Sequence, residues 1–144
     1  MVIIMNFEIV KRDLFTLPEN YYLAHCISAD YALGAGIAKE FNRKYDMRRK
    51  LKKYAADRNI VGTAVLIENV FNLITKERYF QKPSYENLTS ALIAMREYSV
   101  LKKISAIGMP RIGCGLDRLE WNRVEKIISD VFEDTDCSIT ICEL

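Results

Sequence analysis

The stretch that most constrains the fold is residues 109–117, MPRIGCGLD, called the glycine loop below. It follows a short β-like run at residues 104–107 and precedes a helical pattern, which is the layout of a phosphate-binding turn. Gly113 and Gly115 let the backbone approach a ligand closely and point successive N–H groups at it. Asp117 ends the loop with a carboxylate that a simple chain reversal does not need. The loop alone is a weak indication of a ligand site, because glycines also serve only to turn a chain.

Alternating strand and helix patterns predict an α/β fold with helices on both faces of one sheet. Helical spacing begins at residues 34–36, resumes after the N-capping Ser84, and returns at Trp121. The turn residues Glu68 and Asn69 separate two apolar runs and predict a hairpin, so the sheet should be mixed. We expect one domain over residues 1–144. The predicted strands are residues 7–10, 21–27, 63–67, 70–75, 104–107 and 138–142, with the apolar residues before Phe7 extending the first.

The amino-acid composition argues against several classes of protein function. Lysine and arginine number 21 and acidic residues 19, a formal charge of +2 that argues against a broad electrostatic grip on nucleic acid. The four cysteines form no CxxC pair and there is one histidine, so a zinc site is not expected. Free thiols and an amino terminus too short to span a bilayer suit a cytoplasmic protein. We expect no metal, no cofactor, no membrane association and a monomer.

Three polar or glycine-rich breaks follow predicted strands, at residues 28–36, 76–83 and 110–117. In layered α/β folds, ligands bind where such breaks gather beyond the carboxyl ends of the strands. Gly34, Ala35 and Gly36 open a helix whose dipole favours an anion, and residues 112–116 offer a second group of N–H donors. Two such cradles suit a diphosphate better than a single phosphate. The alternative is that these glycines merely cap and turn the chain.

Two ionisable residues could carry chemistry. Lys82 stands just before Pro83 at the mouth of a helix, where the dipole disfavours the ammonium form, and a neutral lysine is a nucleophile toward carbonyl-like carbon. Asp117 could take a proton or orient that amine. The alternatives are a surface lysine and a helix-approach cap, and the sequence does not show that the two meet.

His25 lies within an apolar strand and is interpreted as a core residue. The basic run at residues 43–53 is either a solvated helix face or a binding patch.

Four separated motifs carry a family resemblance: AHCISAD at residues 24–30, GAGIA at 34–38, KPSYENL at 82–88 and MPRIGCGLDRL at 109–119. In this order they resemble a macrodomain, most closely the branch containing the terminal ADP-ribose protein glycohydrolase. The resemblance covers nearly the whole chain. It implies a three-layer α/β/α sandwich around a mixed sheet, with ADP-ribose in a cleft.

The resemblance also implies a reaction. It is the hydrolysis of an ester-type bond between ADP-ribose and an acidic side chain of a protein, together with deacetylation of O-acetyl-ADP-ribose, without a metal. Lys82, in KPSYENL, would attack the anomeric carbon of the distal ribose and form a covalent adduct, and Asp117, in the glycine loop, would assist its release. Two positions depart from the family: Arg12 replaces a glycine before the adenine-contacting aspartate, and Gln81 stands where relatives can carry histidine.

The implied partners are ADP-ribose and ADP-ribosylated protein. Two alternatives remain open: an antitoxin-like macrodomain that removes ADP-ribose from DNA bases, and a non-catalytic ADP-ribose reader. Turnover separates the reader from the hydrolases. The residues expected to contact the substrate, besides Lys82 and Asp117, are Asp13, Leu14, Ser28, Gly34, Ala35, Gly36, Ile37, Arg111, Ile112, Gly113, Cys114, Gly115, Leu116 and Leu144.

Overall fold

The computed structural model describes residues 7–115 and 117–144, so the apolar residues predicted to extend the first strand before Phe7 lie outside the described part. In these residues the six strands follow the predicted order, the three predicted helical regions form four helices, and a single turn of 3-10 helix follows the first strand. In chain order they are β1 (Phe7–Lys11), the 3-10 turn (Leu14–Thr16), β2 (Tyr22–Ser28), α1 (Gly36–Tyr45), α2 (Met47–Tyr54), β3 (Thr63–Ile67), β4 (Val70–Lys76), α3 (Tyr85–Leu101), β5 (Ala106–Met109), α4 (Trp121–Phe132) and β6 (Ser138–Glu143).

The strands form one sheet in the order β1-β6-β5-β2-β4-β3. All neighbouring pairs are parallel except β3 and β4, which form the predicted antiparallel hairpin. Glu68 in the hairpin turn has a φ of 55°, the left-handed conformation that tight turns require. The predicted mixed sheet is therefore confirmed, and β2, β4 and β5 lie side by side with their carboxyl ends at the same edge.

Helices cover both faces of the sheet, which confirms the three-layer sandwich. The sheet separates two hydrophobic cores, one on each face, and alternate side chains of β4 pack into different cores. Phe71 and Leu73 pack with Leu88 and Leu92 of α3 and with residues of α4. Val70 and Ile74 point to the other face and pack in the core beside α1 and α2, with Phe41, Met47 and Leu51.

The helical pattern that starts at Gly36 does not run through the basic stretch without interruption. Asp46 adopts a left-handed conformation, with a φ of 54°, and separates α1 from α2. The basic side chains thus divide between two short helices. By contrast, α3 begins as predicted, because the Ser84 hydroxyl accepts a hydrogen bond from the Asn87 N–H at 3.0 Å.

Candidate active site

A cleft with a volume of about 720 Å³ opens beyond the carboxyl ends of β2, β4 and β5. All three breaks noted in the sequence contribute to it, because parallel strands bring the segments that follow them to one edge of the sheet. Most of the lining surface is apolar. The lining residues are Cys26, Ile27, Ser28, Ala32, Leu33, Gly34, Ala35, Gly36, Ile37, Ala38, Lys76, Tyr79, Pro110, Arg111, Ile112, Gly113, Gly115 and Asp117.

The amino terminus of α1 forms one wall of this cleft. Ala35 is the N-cap residue and offers no side-chain hydrogen bond to the first turn, which also contains no acidic residue. Gly36 has a φ of 59°, which favours glycine at this position. The first N–H groups of α1 and the positive end of its dipole are therefore placed to receive an anion.

The glycine loop forms the opposite wall. The N–H groups of Ile112 and Cys114 donate to carbonyls inside the loop, those of Pro110 and Arg111, at 2.7 and 3.3 Å. These two donors, predicted to face a phosphate, are thus used by the loop itself. Gly113 has a φ of 73°, so the turn requires a glycine there whether or not a ligand binds.

An ion pair lies within the cleft. The Nζ of Lys76 donates to Oδ1 of Asp117 at 2.6 Å, and the two side chains are only 14% and 17% exposed. Lys76 is the last residue of β4 and is in register with Ser28 of β2. The register shifts between Ile27 and Ser28, where Thr75 is passed over, so Ile74 and Lys76 pair with consecutive residues of β2 and strand alternation does not place Lys76 on the face of Ile74. The result is an amine and a carboxylate in contact in the cleft that the amino terminus of α1 and the glycine loop line.

Two thiols lie near this pair. Burial raises the pKa of Cys26, and the negative charge of Asp117 raises it further. Burial also raises the pKa of Cys114, which the positive charge of Arg111 partly offsets. Both cysteines are therefore protonated at neutral pH, which argues against a cysteine nucleophile in the cleft.

Asp30 joins two of the segments that line the cleft. Its carboxylate accepts hydrogen bonds from the Ser28 hydroxyl at 2.5 Å, the Ala32 N–H at 3.2 Å and the Tyr79 N–H at 3.0 Å. Burial alone would raise the pKa of Asp30, but these hydrogen bonds outweigh it and hold the pKa below its usual range. Asp30 thus fastens the segment after β4 to the segment after β2.

Comparison with known proteins gives both a sequence relative and structural neighbours. The chain is 44% identical over 138 residues to the ADP-ribose glycohydrolase OARD1 of Homo sapiens, a match that covers 94% of this chain and 90% of the relative. The macrodomain of Mycobacterium tuberculosis DarG superposes with a TM-score of 0.86 at 19% identity, covering 97% of this chain and 99% of that one. This chain belongs to the macrodomain family. A complex of Thermosipho africanus DarTG with ADP-ribose also shares the macrodomain fold, with a TM-score of 0.82 at 18% identity, over 95% of this chain and 41% of that one. No family model matches the sequence.

The macrodomain cleft brings together most of the residues expected to contact a substrate. Leu116 lies outside the described residues. The expected residues that do line the cleft are Ser28, Gly34, Ala35, Gly36, Ile37, Arg111, Ile112, Gly113, Gly115 and Asp117.

Four other expected contacts do not line the cleft. Asp13 is exposed and its carboxylate accepts the Phe15 N–H at 3.0 Å, so it caps the 3-10 turn. Leu14 is buried in the core beside α1, and Leu144 is fully exposed at the chain end. Cys114 is half-buried and packs against the core beneath the glycine loop.

The other expected catalytic residue, Lys82, comes just before Ser84, the N-cap of α3. It is solvent-exposed and is not among the described residues that line the cleft, whereas the neighbouring Pro83 is buried. Lys82 was predicted to be the nucleophile from the dipole of α3 and the KPSYENL motif, and that role stays a prediction. Lys76 was missed. Its place at the start of the second polar break is the sequence signal that could have identified it.

Arg111 is held by two contacts at the rim of the macrodomain cleft. Its guanidinium forms an ion pair with the Glu143 carboxylate at 2.6 Å and lies 5.3 Å from the centre of the Trp121 ring. These contacts tie the glycine loop to β6 and α4.

Across residues 7–115 and 117–144, no group of three or more His, Cys, Asp or Glu side chains is arranged to hold a metal ion. None of the helices in the same residues has the length and apolar character needed to cross a membrane.

Proposed function

We propose that this macrodomain hydrolyses the bond between ADP-ribose and acidic side chains of modified proteins, and that it also deacetylates O-acetyl-ADP-ribose. The observation that carries the proposal is the contact of 2.6 Å between Lys76 Nζ and Asp117 Oδ1 inside the cleft. A relative of nearly the same length that is 44% identical is named an ADP-ribose glycohydrolase, which supports the same reaction class.

The cleft suits ADP-ribose in size and in its donors. Its volume of about 720 Å³ falls within the range of about 300–1,000 Å³ typical of small-molecule sites. The amino terminus of α1 would hold one phosphate through its first backbone N–H groups. The glycine loop would approach the other with N–H groups other than those of Ile112 and Cys114, which donate within the loop. A structural neighbour is described as a complex with ADP-ribose, which supports this ligand for the fold.

In the proposed reaction, Lys76 takes the role that the sequence analysis gave to Lys82. Asp117 accepts a proton from the Lys76 ammonium, and the neutral Nζ attacks the anomeric carbon of the distal ribose. A carbon–nitrogen bond forms as the carbon–oxygen bond to the acceptor breaks, and the acidic side chain leaves as a carboxylate. After Asp117 has given that proton to solvent, it takes a proton from water, whose oxygen bonds to the anomeric carbon as the carbon–nitrogen bond breaks, and this proton then returns to Lys76 Nζ. The direct contact of the two groups supports this assignment, because a proton can pass from Lys76 Nζ to Asp117 Oδ1 along the existing hydrogen bond.

The test compares the two lysines directly on a peptide that carries ADP-ribose on a glutamate. We expect Lys76→Ala to lower turnover by about a hundredfold or more, while Lys82→Ala, the matched control, stays within about twofold of the wild type. Lys76→Arg retains a cation beside Asp117 but supplies no amine nucleophile, so it should be as inactive as the alanine variant. Mass spectrometry of the wild type during turnover should locate an ADP-ribose adduct on Lys76.

The opposite pattern, loss in Lys82→Ala and none in Lys76→Ala, would return the nucleophile to Lys82. Binding of ADP-ribose should be followed by calorimetry for every variant. A wild type that binds ADP-ribose and releases none from the peptide would support the reader and refute the hydrolase.

A second substrate class has one observation in its favour. The basic residues of α2 surround a separate surface cavity of about 620 Å³, which also includes Asn42 and Asp46 and shares no lining residue with the cleft. Such a cationic surface could hold phosphates of single-stranded DNA. The discriminating assay measures ADP-ribose release from a modified single-stranded oligonucleotide beside the peptide, with a charge-reversed variant of the surface as control. The basic lining residues are Arg48, Arg49, Lys52 and Lys53.

A further inference from the structure

Two large aromatic side chains stand side by side at the mouth of the cleft. Tyr79 is 66% exposed and Phe80 is 73% exposed, and their rings meet edge to face with centroids 5.5 Å apart. We propose that this pair is an acceptor subsite, which contacts the polypeptide next to the ADP-ribosylated acidic residue. This inference rests on the proposed hydrolase function and names how that enzyme recognises the protein part of its substrate.

The position of the pair relative to the ion pair supports this role. Tyr79 follows Lys76 by three residues and lines the cleft, whereas Phe80 lies outside the lining. In the proposed reaction, the bond that breaks lies at Lys76 Nζ, with ADP-ribose on one side and the acceptor on the other. A surface that starts at the cleft wall near Lys76 and continues into solvent is therefore placed to contact the acceptor.

The segment that carries the two rings is held in place. The Tyr79 N–H donates to Asp30 at 3.0 Å, which anchors the segment to the loop after β2. Arg78 and Gln81 close a tight turn around the rings: the Arg78 N–H donates to Gln81 Oε1 at 2.8 Å, and the Gln81 N–H donates to the Arg78 carbonyl at 3.1 Å. A fixed apolar surface loses less conformational entropy on binding than a flexible one. The same contact area therefore gives a higher affinity.

The geometry favours a polypeptide over a nucleic acid at this surface. The two rings are nearly perpendicular, at 89°, so they offer no pair of parallel faces on which successive bases could stack. The corner between them suits an aliphatic or aromatic side chain. The same segment exposes Arg78 and Lys82 against one acidic residue, Glu77, a net positive charge that complements a polypeptide with further carboxylates. The basic cavity of α2 shares no residue with it.

The experiment compares two substrates that share ADP-ribose and differ in the acceptor. One is a peptide ADP-ribosylated on a glutamate that is flanked by an apolar residue, and the other is O-acetyl-ADP-ribose, whose acceptor is only an acetyl group. For Phe80→Ser we expect the ratio of the two kcat/KM values, peptide over O-acetyl-ADP-ribose, to fall about tenfold, mainly through KM for the peptide. Tyr54→Ser, which removes another exposed aromatic on α2, should leave this ratio at the wild-type value.

Three results would overturn the acceptor subsite while the hydrolase stands. They are a wild-type ratio in Phe80→Ser, an equal loss on both substrates, and a loss that appears only with an ADP-ribosylated single-stranded oligonucleotide. The last would make the pair a base-stacking surface. A wild type that turns over neither substrate would instead refute the proposed function, and the acceptor subsite with it.

Discussion

The single histidine allows a sharp test of how burial controls stability in this fold. His25 is fully buried in β2, where its ring stacks on Phe41 with centroids 4.0 Å apart and its Nε2 lies 2.6 Å from Asn72 Oδ1. Desolvation lowers the pKa of His25 from 6.5 to about 4, although the hydrogen bond with Asn72 acts in the opposite direction. Its role as a core residue agrees with the sequence analysis.

The difference between the folded and unfolded pKa values of His25 fixes how much the free energy of unfolding changes with pH, and in which direction. Because the pKa of His25 is lower in the folded state than in the unfolded chain, the unfolded chain binds the proton more tightly. The folded state therefore loses stability as pH falls from about 6.5 toward about 4. Above about pH 6.5 the imidazole is neutral in both states, and this loss of stability is absent. The two pKa values differ by about 2.5, which at about 1.4 kcal/mol per pKa unit gives roughly 3 kcal/mol.

The assay is urea unfolding of the wild type and of His25→Gln at several pH values. Glutamine is uncharged throughout and can still hydrogen bond with Asn72. Between about pH 7.5 and about pH 4.5, the wild type should lose roughly 2 to 3 kcal/mol more unfolding free energy than the variant. Carboxylates titrate in both proteins, so the difference isolates the histidine. The imidazole NMR signal, which is unique because the chain has one histidine, should titrate in the folded protein only near pH 4.

The reasoning would be refuted if the unfolding free energy changed equally with pH in the two proteins. It would also be refuted if the imidazole of the folded protein titrated near 6.5, the value for an exposed histidine. If His25→Gln does not fold, the NMR titration of the wild type still decides the question.

Five further predictions concern the cleft and α3. Asp117→Asn removes the proton acceptor of the ion pair and should lower turnover by about a hundredfold or more while ADP-ribose still binds, as measured by parallel kinetics and calorimetry. Gly113→Ala forces a side chain at a φ of 73° and within 2.9 Å of Leu119 Cδ1, so thermal unfolding should show a loss of about 1–2 kcal/mol. Gly115→Ala meets no atom within 4 Å and should change stability by less than about 0.5 kcal/mol. Ser84→Ala removes the cap of α3 and should cost about 1 kcal/mol in the same assay. Free ADP-ribose should bind more tightly than AMP because two cradles suit a diphosphate, and equal affinities in calorimetry would contradict that argument.

Local patterns predicted the elements well where the pattern was strict. The hairpin of β3 and β4 followed from two apolar runs around Glu68 and Asn69, and α3 followed from a serine cap and a helical period. The break at Asp46 was not predicted, because an aspartate that adopts a left-handed conformation leaves no mark in the spacing of apolar residues. The adenine-side expectations for Asp13 and Leu14 came from family resemblance and stay predictions; the structure shows that Asp13 caps the 3-10 turn and that Leu14 is buried.

The amino-acid sequence by itself determined the alternation of strands and helices, the mixed sheet and the two glycine-bearing turns, because each depends on residues close together in the chain. Only the tertiary structure decided which lysine meets Asp117. Lys76 and Asp117 are 41 positions apart, and their contact depends on the parallel pairing that sets Lys76 beside Ser28 at the edge of the sheet. Periodicity shows which face of a strand a side chain occupies, but the pairing of distant strands determines what that side chain touches.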